Sequence, residues 1–328
     1  MTDKNISNRL LSFNFLNKNI LVNSAKIIIA AGLLYYLVNV VDYYQIILAI
    51  NNADLLIILL VLLLGILNIF LQYSKWKLTC KEVLGVNRKS KVFRSLFYGF
   101  SAGIITPLRI GEYFGRGIEF RDKTIVQVTM ATLIDKFFPL LMVASLGSIS
   151  SLLYIYFYFN VSIYIVLSLF ILIFTFFYLF IILLMNNRFW NSILFSRLHS
   201  SSRLKYFIEK IKIFENLDRT YFYKMLVISF LFYSCYLIQY ALLVTAFSHH
   251  INLVQYLWAA NLIMFAKTVI PPISFGELGI REGASVYFLT QMGESASVGF
   301  NSSIFLFIIN LLIPALIGVG MFLRKNGN

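Results

Sequence analysis

The sequence predicts an all-α polytopic integral membrane protein, and three observations carry that prediction. Apolar residues make up 59% of the chain and charged residues only 13%, against roughly a quarter charged in a soluble domain. Several runs approach the about 20 mostly apolar residues that cross a bilayer. Basic residues crowd some of the segments between these runs and are absent from others, the asymmetry that orients membrane proteins. The 328 residues read as one membrane domain, 1–328, and the excess of 14 positive charges belongs to topology, not to nucleic-acid binding. Cys80 and Cys235 have no metal-site spacing and support no disulfide framework. The first 19 residues are polar, with Lys4, Arg9 and Lys18 and no small-residue cleavage site, so no cleavable signal peptide is expected.

Four uncharged runs define spans: Leu55–Tyr73, Val161–Met185, Met225–Phe247 and Ile304–Leu323. Asn17–Val41 is a fifth, with Lys26 near enough to its start to snorkel. Ile125–Gly147 is a sixth and carries Asp135-Lys136, followed by Pro139. Two further apolar pieces, Val92–Ile105 and Leu253–Ile270, each run into a polar, helix-breaking motif. The motifs share the pattern Pro-x-x-x-Gly-Glu-x-x-x-Arg, as Pro107, Gly111, Glu112, Arg116 and as Pro272, Gly276, Glu277, Arg281. A polar motif occurring twice in an apolar chain suggests an internal repeat with a shared site.

Charge asymmetry then orders the path. Val41–Asn52, Ser148–Ser162, Ser248–Tyr256 and Gln291–Ser303 contain no Lys or Arg. Lys75–Arg94 and Asn186–Lys224 are densely basic, as are the N-terminus and Arg324-Lys325. With the basic segments and both termini in the cytoplasm, the first motif segment begins and ends inside and the second begins and ends outside. Each is then a re-entrant hairpin. The halves, about 17–147 and 161–323, become an inverted-topology repeat of six spanning helices plus two hairpins. The alternative is eight spanning helices, which would place the basic 116–123 segment outside. The connector of about 186–224 alternates apolar and basic residues and reads as an amphipathic element on the inner leaflet or a soluble connecting helix. Tyr35, Tyr36, Tyr43, Tyr44, Tyr154, Tyr156, Tyr158 and Tyr164 fall near the outer ends of spans, as an interfacial aromatic belt does.

Charges held at membrane depth are functional candidates by default. Glu112 and Arg116 lie four apart, on one face of a helical arm, as do Glu277 and Arg281. Such pairs either neutralise the hairpins or meet a substrate. Arg109 adds a guanidinium with no evident local partner, and planar donors suit a phosphodiester. Pro107 and Pro272, with Gly111 and Gly276 four residues on, leave backbone N–H groups free at a broken helix, which favours anions. Lys267 lies one turn before the second motif, Glu282 follows Arg281, and Asp135-Lys136 forms a third embedded pair. Enzyme signals are poor: His249-His250 and His199 have no triad, zinc or phosphate-loop context. A catalyst is not expected, and no cofactor or metal is implied.

At these motifs the chain resembles the transmembrane region of lysylphosphatidylglycerol synthases, the flippase-like domain family. The first is similar to Thr106-Pro107-x-Arg109-x-Gly111-Glu112 with Arg116 following. The second is similar to Pro272-x-Ser274-x-Gly276-x-x-Gly279-x-Arg281-Glu282, although the family usually has glycine where this chain has Glu277. Asp135-Lys136 resembles the family's acid–base pair on the next span. The resemblance covers nearly the whole chain and implies movement of a phospholipid or related lipid between leaflets of a bacterial inner membrane. Arg109, Arg116 and Arg281 would then hold a lipid phosphate, with Lys136 and Lys267 beside them. Glu112, Asp135 and Glu282 would balance those charges or meet a cationic headgroup. The soluble aminoacyl-transferase domain of the full synthases is not expected beyond Asn328. Membrane phospholipids are the expected partners. An accessory subunit serving a separate lipid-modifying enzyme, a membrane-embedded lipid transferase and an ion channel are the other classes. The same site would suit an anionic or aminoacylated phospholipid, such as aminoacylated phosphatidylglycerol, a polyprenyl-phosphate glycoside or another anionic lipid, and oligomeric state stays open at this point.

Overall fold

A computed structural model describes residues 43–106, 108–185, 219–270 and 278–326. Those residues form helices without strands, and five helices are long and apolar enough to cross a membrane. The expected span Asn17–Val41, the 186–218 part of the connector, and the motif residues Pro107, Pro272, Gly276 and Glu277 lie outside the described residues.

Local signals start and stop the helices. A short α1 (Tyr43–Asn51) precedes α2 (Leu55–Leu84), whose first N–H groups are capped by the Asp54 carboxylate at 2.9 Å and 3.2 Å. Gly85, in the left-handed conformation, ends α2. The first motif segment is α3 (Lys89–Ile105), a tip, α4 (Gly111–Gly115) and a 3-10 turn over Arg116–Glu119. A Thr124–Gln127 capping box opens α5 (Ile125–Phe159), and α6 (Ile163–Met185) follows. Beyond the connector come α7 (Arg219–Ser248), α8 (Leu253–Val269) and α9 (Ile280–Gln291). The last span combines α10 (Ala296–Phe307), a π turn over Ile308–Leu312 and α11 (Ile313–Asn326). Pro314 lacks the N–H an α-helix needs there, and the π turn widens the hydrogen-bond register just before it.

The organising pair is α2 with α7, packed antiparallel. Asp54 N donates to Ala246 O at one end, Gln239 Nε2 to Val61 O in the middle, and Thr79 bonds the Tyr221 hydroxyl at the other. Each of these helices leads into a motif segment, and each segment turns back on itself. Arg94 pairs with Glu119 at 3.1 Å, so the chain leaving the first tip returns beside the start of α3. Gln255 Nε2 donates to Met292 O, and the Tyr256 hydroxyl to Glu294 Oε1 at 2.5 Å, so α9 returns beside the start of α8. One hairpin therefore has its base at the Leu84–Tyr221 end of the central pair, the other at the Asp54–Ser248 end. That return excludes the alternative in which the motif segments are full crossings.

Two apolar cores hold this arrangement, one per hairpin. Trp76, Cys80, Val92, Leu96, Phe100, Phe120 and Val128 surround the first. Tyr233, Tyr240, Val244, Tyr256, Leu262 and Leu289 surround the second. By contrast α6 leaves most of its apolar side chains exposed, as a helix facing lipid tails does.

Three sequence-based boundaries need correction. The uncharged 148–162 stretch is not an outer loop, because α5 continues to Phe159, about 52 Å long at 1.5 Å per residue. Its extension packs on the second hairpin: Trp258 Nε1 donates to Ser150 O, and Tyr154 meets Phe288 edge-on. Tyr154 is consequently buried and stacked on Tyr158, not a belt residue, whereas Tyr43, Tyr44 and Tyr164 are exposed. The 291–303 stretch, which has no Lys or Arg, is also largely helical, with Ser297, Asn301, Ser302 and Ser303 buried. Finally, α2 runs through the basic segment to Leu84 and carries Lys75 into the interior.

Candidate functional site

The first hairpin works because its two arms touch backbone to backbone. A Cβ on Gly111 would lie 2.2 Å from Ala102 O, and one on Gly115 would lie 2.4 Å from Tyr98 O. Glycine at these positions is therefore a packing requirement, as at close helix crossings in membranes. At the tip, Thr106 Oγ1 bonds the Ala102 carbonyl and accepts Gly111 N–H at 2.6 Å, starting the second arm. Leu108 and Arg109 both take positive φ, 55° and 53°. Two consecutive non-glycine residues in that region store strain, which is found where surrounding structure over-determines a functional geometry.

That turn swings Arg109 back over the second arm. Its Nη2 lies 2.9 Å from Glu112 Oε2, so Arg109 does have a local partner, contrary to the sequence-based expectation. Glu112, 2% exposed, also meets Arg116 Nη2 at 2.7 Å through Oε1 and Lys136 Nζ at 2.8 Å through Oε2. Arg116 reaches across to Asp135 Oδ2 at 2.8 Å, and its guanidinium stacks 4.3 Å from the Trp76 ring. Lys136 sits 4.8 Å over Tyr113. The sequence-predicted Arg109, Glu112, Arg116, Asp135 and Lys136 thus form one network.

Its most informative member is Lys75. Pro139 has no N–H to give the carbonyl four residues earlier, which is that of Asp135. Lys75 Nζ, from the facing helix, donates to that orphaned oxygen at 2.7 Å and lies 3.4 Å from Asp135 Oδ1. A helix break, a buried carboxylate and a buried lysine therefore compensate one another. In the sequence Lys75 stands at the head of the basic segment Lys75–Arg94, where nothing distinguishes it from its neighbours. Counting four residues back from Pro139 was the available signal that Asp135 needs a donor beyond its own helix.

The second hairpin contributes a smaller cluster. Gly279 caps α9 with φ 94°, which glycine tolerates, and its N–H donates to Glu282 Oε2 at 2.6 Å. Glu282 Oε1 accepts Arg281 Nη2 at 2.5 Å and the Ser303 hydroxyl at 3.1 Å, while Arg281 Nε donates to Ser303 at 2.9 Å. Arg281 also lies 5.3 Å from the Phe307 ring. Glu282 is fully buried behind Arg281 and serves as its counter-charge and as the α9 cap.

Both clusters face one cavity of about 390 Å³, within the range of small-molecule sites. Leu108 and Arg109 from the first tip line it, as do Lys267, Thr268 and Arg281 from either side of the second. Lys75, Glu112, Arg116, Asp135 and Lys136 complete its charged wall. Among the described residues, six cationic and two acidic side chains line the space, with Glu282 just behind. Asn68, Gln72 and Asn310 add polar surface, and Asn310, on the π turn, bonds Gln239 at 3.2 Å. A π turn beside a site is a recurring functional feature. Sequence inspection did not single out Lys75, Trp76, Ser303 or Asn310, since each gains meaning from a contact distant in sequence.

Against known proteins, the family described as lysylphosphatidylglycerol synthase TM region matches residues 23–318. The chain belongs to this family. Comparison with curated proteins and with solved structures returned no match. Family membership and the five apolar helices define a multi-pass membrane protein with a lipid-related function. The match spans both hairpins, so Arg109, Glu112, Arg116, Arg281 and the cavity between them all lie inside the family region.

Proposed function

We propose that this protein is a flippase-type transporter that carries a phospholipid headgroup between the leaflets of a bacterial inner membrane. One observation carries the reading: two hairpins based at opposite ends of a central helix pair bring the first tip, at Leu108 and Arg109, and the residues flanking the second, Lys267, Thr268 and Arg281, to a single cation-rich cavity. A space reached from both ends is what alternating access requires. Arg109 and Lys136 retain 20% and 30% of their side-chain surface, so these two cations can meet an entering phosphate. Arg116 and Lys75 are buried deeper and fix the position of the carboxylates.

In this reading the halves form an inverted-topology repeat with the N- and C-termini in the cytoplasm. The first hairpin enters from the cytoplasmic face, the second from the outer face. Acyl chains remain in the surrounding lipid while the headgroup passes. The protein performs no chemistry on its cargo, and an enzyme that modifies lipids is a natural partner class.

Reconstitution in vesicles with a labelled phospholipid tests the reading. Leaflet exchange is expected to exceed that of the Arg109→Ala and Arg281→Ala proteins. Exchange no faster than in those variants would refute transport.

A further inference from the structure

A second space, of about 680 Å³, lies between α2 and α3 and shares no lining residue with the cavity. One face of each helix lines it. Ile66, Ile69, Phe70 and Tyr73 recur at helical spacing on α2, and Phe93 and Phe97 stand one turn apart on α3. Tyr73 meets Phe93 edge-on at 5.8 Å, and the Phe93 and Phe97 rings lie 4.7 Å apart. Ile66 and Phe70 remain 66% and 59% exposed, so the groove is open along its α2 side.

At the base of the hairpin the groove ends on Lys89 and Ser90, both exposed. Of the three cations on α3, Lys91 is partnered by Asp122 at 3.9 Å and Arg94 by Glu119 at 3.1 Å. Lys89, at the groove mouth, pairs with no carboxylate among the described residues. Arg88 gives α3 no side-chain cap, which leaves the first N–H groups of the helix without a side-chain partner at the same mouth. From Lys89 to Phe97 the groove rises about 12 Å along α3, most of the about 15 Å of hydrocarbon in one leaflet. An apolar channel of that depth ending on an unpaired cation matches a phospholipid with net negative charge. Other occupants fit the charge less well. The chain's own 17–41 run carries Lys18 and Lys26, and a second copy docked through this face would bring its own Lys89.

We infer that the α2–α3 groove is a resident site for an anionic phospholipid, with an acyl chain along Tyr73, Phe93 and Phe97 and the phosphate at Lys89 and Ser90. A lipid seated there bridges α2 and α3 and braces the arm on which the first tip is built. The site is separate from the cavity and stands whether or not the cavity moves lipid.

The test places a photoreactive benzophenone amino acid at position 93 of the full chain. The protein is reconstituted in vesicles of equimolar phosphatidylglycerol and phosphatidylcholine with matched acyl chains, and mass spectrometry of the adducts reads what lies in the groove. Phosphatidylglycerol adducts are expected to exceed phosphatidylcholine adducts about fivefold, the size of one lysine acting on an anionic lipid at a membrane surface. Lys89→Glu is expected to bring that ratio to about one. Lys89→Gln, a milder change should the reversal prevent folding, is expected to lower it roughly twofold. Arg109→Gln/Lys136→Gln, in the cavity, is expected to leave the ratio unchanged. A ratio near one without any Lys89 change, a ratio that survives both Lys89 changes, or one lost in the cavity variant overturns the inference. So does the absence of any lipid adduct. An adduct with residues 17–41 or with a second copy also overturns it, and names that segment or a dimer as the occupant.

Discussion

Replacing Glu112 with glutamine keeps the side chain's shape and removes the charge that three cations share. The carboxylate lies 2.7 Å from Arg116, 2.8 Å from Lys136 and 2.9 Å from Arg109, in a position only 2% exposed. Removing one partner from a buried ion network costs about 3–5 kcal/mol, because the remaining charges lose their compensation. Arg109 and Lys136 are partly exposed, so the lower end applies, about 3 kcal/mol, or a melting temperature lower by roughly 6 °C. The same change should strengthen binding of a lipid phosphate, since Glu112 occupies the cations that the phosphate needs. A tenfold gain in affinity would add about 1.4 kcal/mol of stabilisation at saturating lipid. The assay is thermal unfolding in detergent with and without phosphatidylglycerol. Glu112→Gln is expected to melt lower than the unaltered protein and to gain more from added lipid. An unchanged melting temperature would refute the ion network, and a smaller gain from lipid would show that Glu112 assists the headgroup instead of competing with it.

Lys75→Met should cost about 3 kcal/mol by leaving the Asp135 carbonyl and Oδ1 without their cation, while Arg116 still holds Oδ2. In Lys75→Met/Pro139→Ala the restored helix N–H meets the Asp135 carbonyl, and a double-mutant cycle in thermal unfolding should recover about 1 kcal/mol. Gly111→Ala places a Cβ 2.2 Å from Ala102 O and should abolish monodisperse protein by size exclusion, whereas Gly320→Ala, with open space around it, should behave normally. Asp122→Cys and His250→Cys should be labelled by a membrane-impermeant thiol reagent from opposite sides, with little background from the buried Cys80 and Cys235. Labelling of both from one side would refute the opposed hairpins.

Much of this architecture was legible in order along the chain. Five expected spans appear as helices, although most begin earlier or run longer than the apolar runs that revealed them. The extensions have one cause: the presence or absence of positive charge says nothing about whether a residue's backbone is helical. Ser150 and Ser303 look like loop residues in sequence, yet they sit inside helices because the second hairpin supplies their contacts. Within the site, the repeated motif and the embedded pair led to Arg109, Glu112, Arg116, Asp135, Lys136 and Arg281, because charge at membrane depth stands out against apolar neighbours. Lys75 did not stand out, lying at the head of a basic segment whose remaining members serve topology.

What the sequence determined by itself was the medium, the number of turns and the places where charge enters the apolar interior, since hydropathy and charge asymmetry act residue by residue. Only the tertiary structure decided which charges meet. It showed that the Pro139 break is answered by Lys75 and that Glu112 is shared three ways. It also showed that the first motif, Thr106 to Arg116, and the second, around Gly279 to Glu282, face one cavity from opposite ends. Those are distances between helices far apart in the chain, set by how backbones approach at Gly111 and Gly115, and no local pattern encodes them.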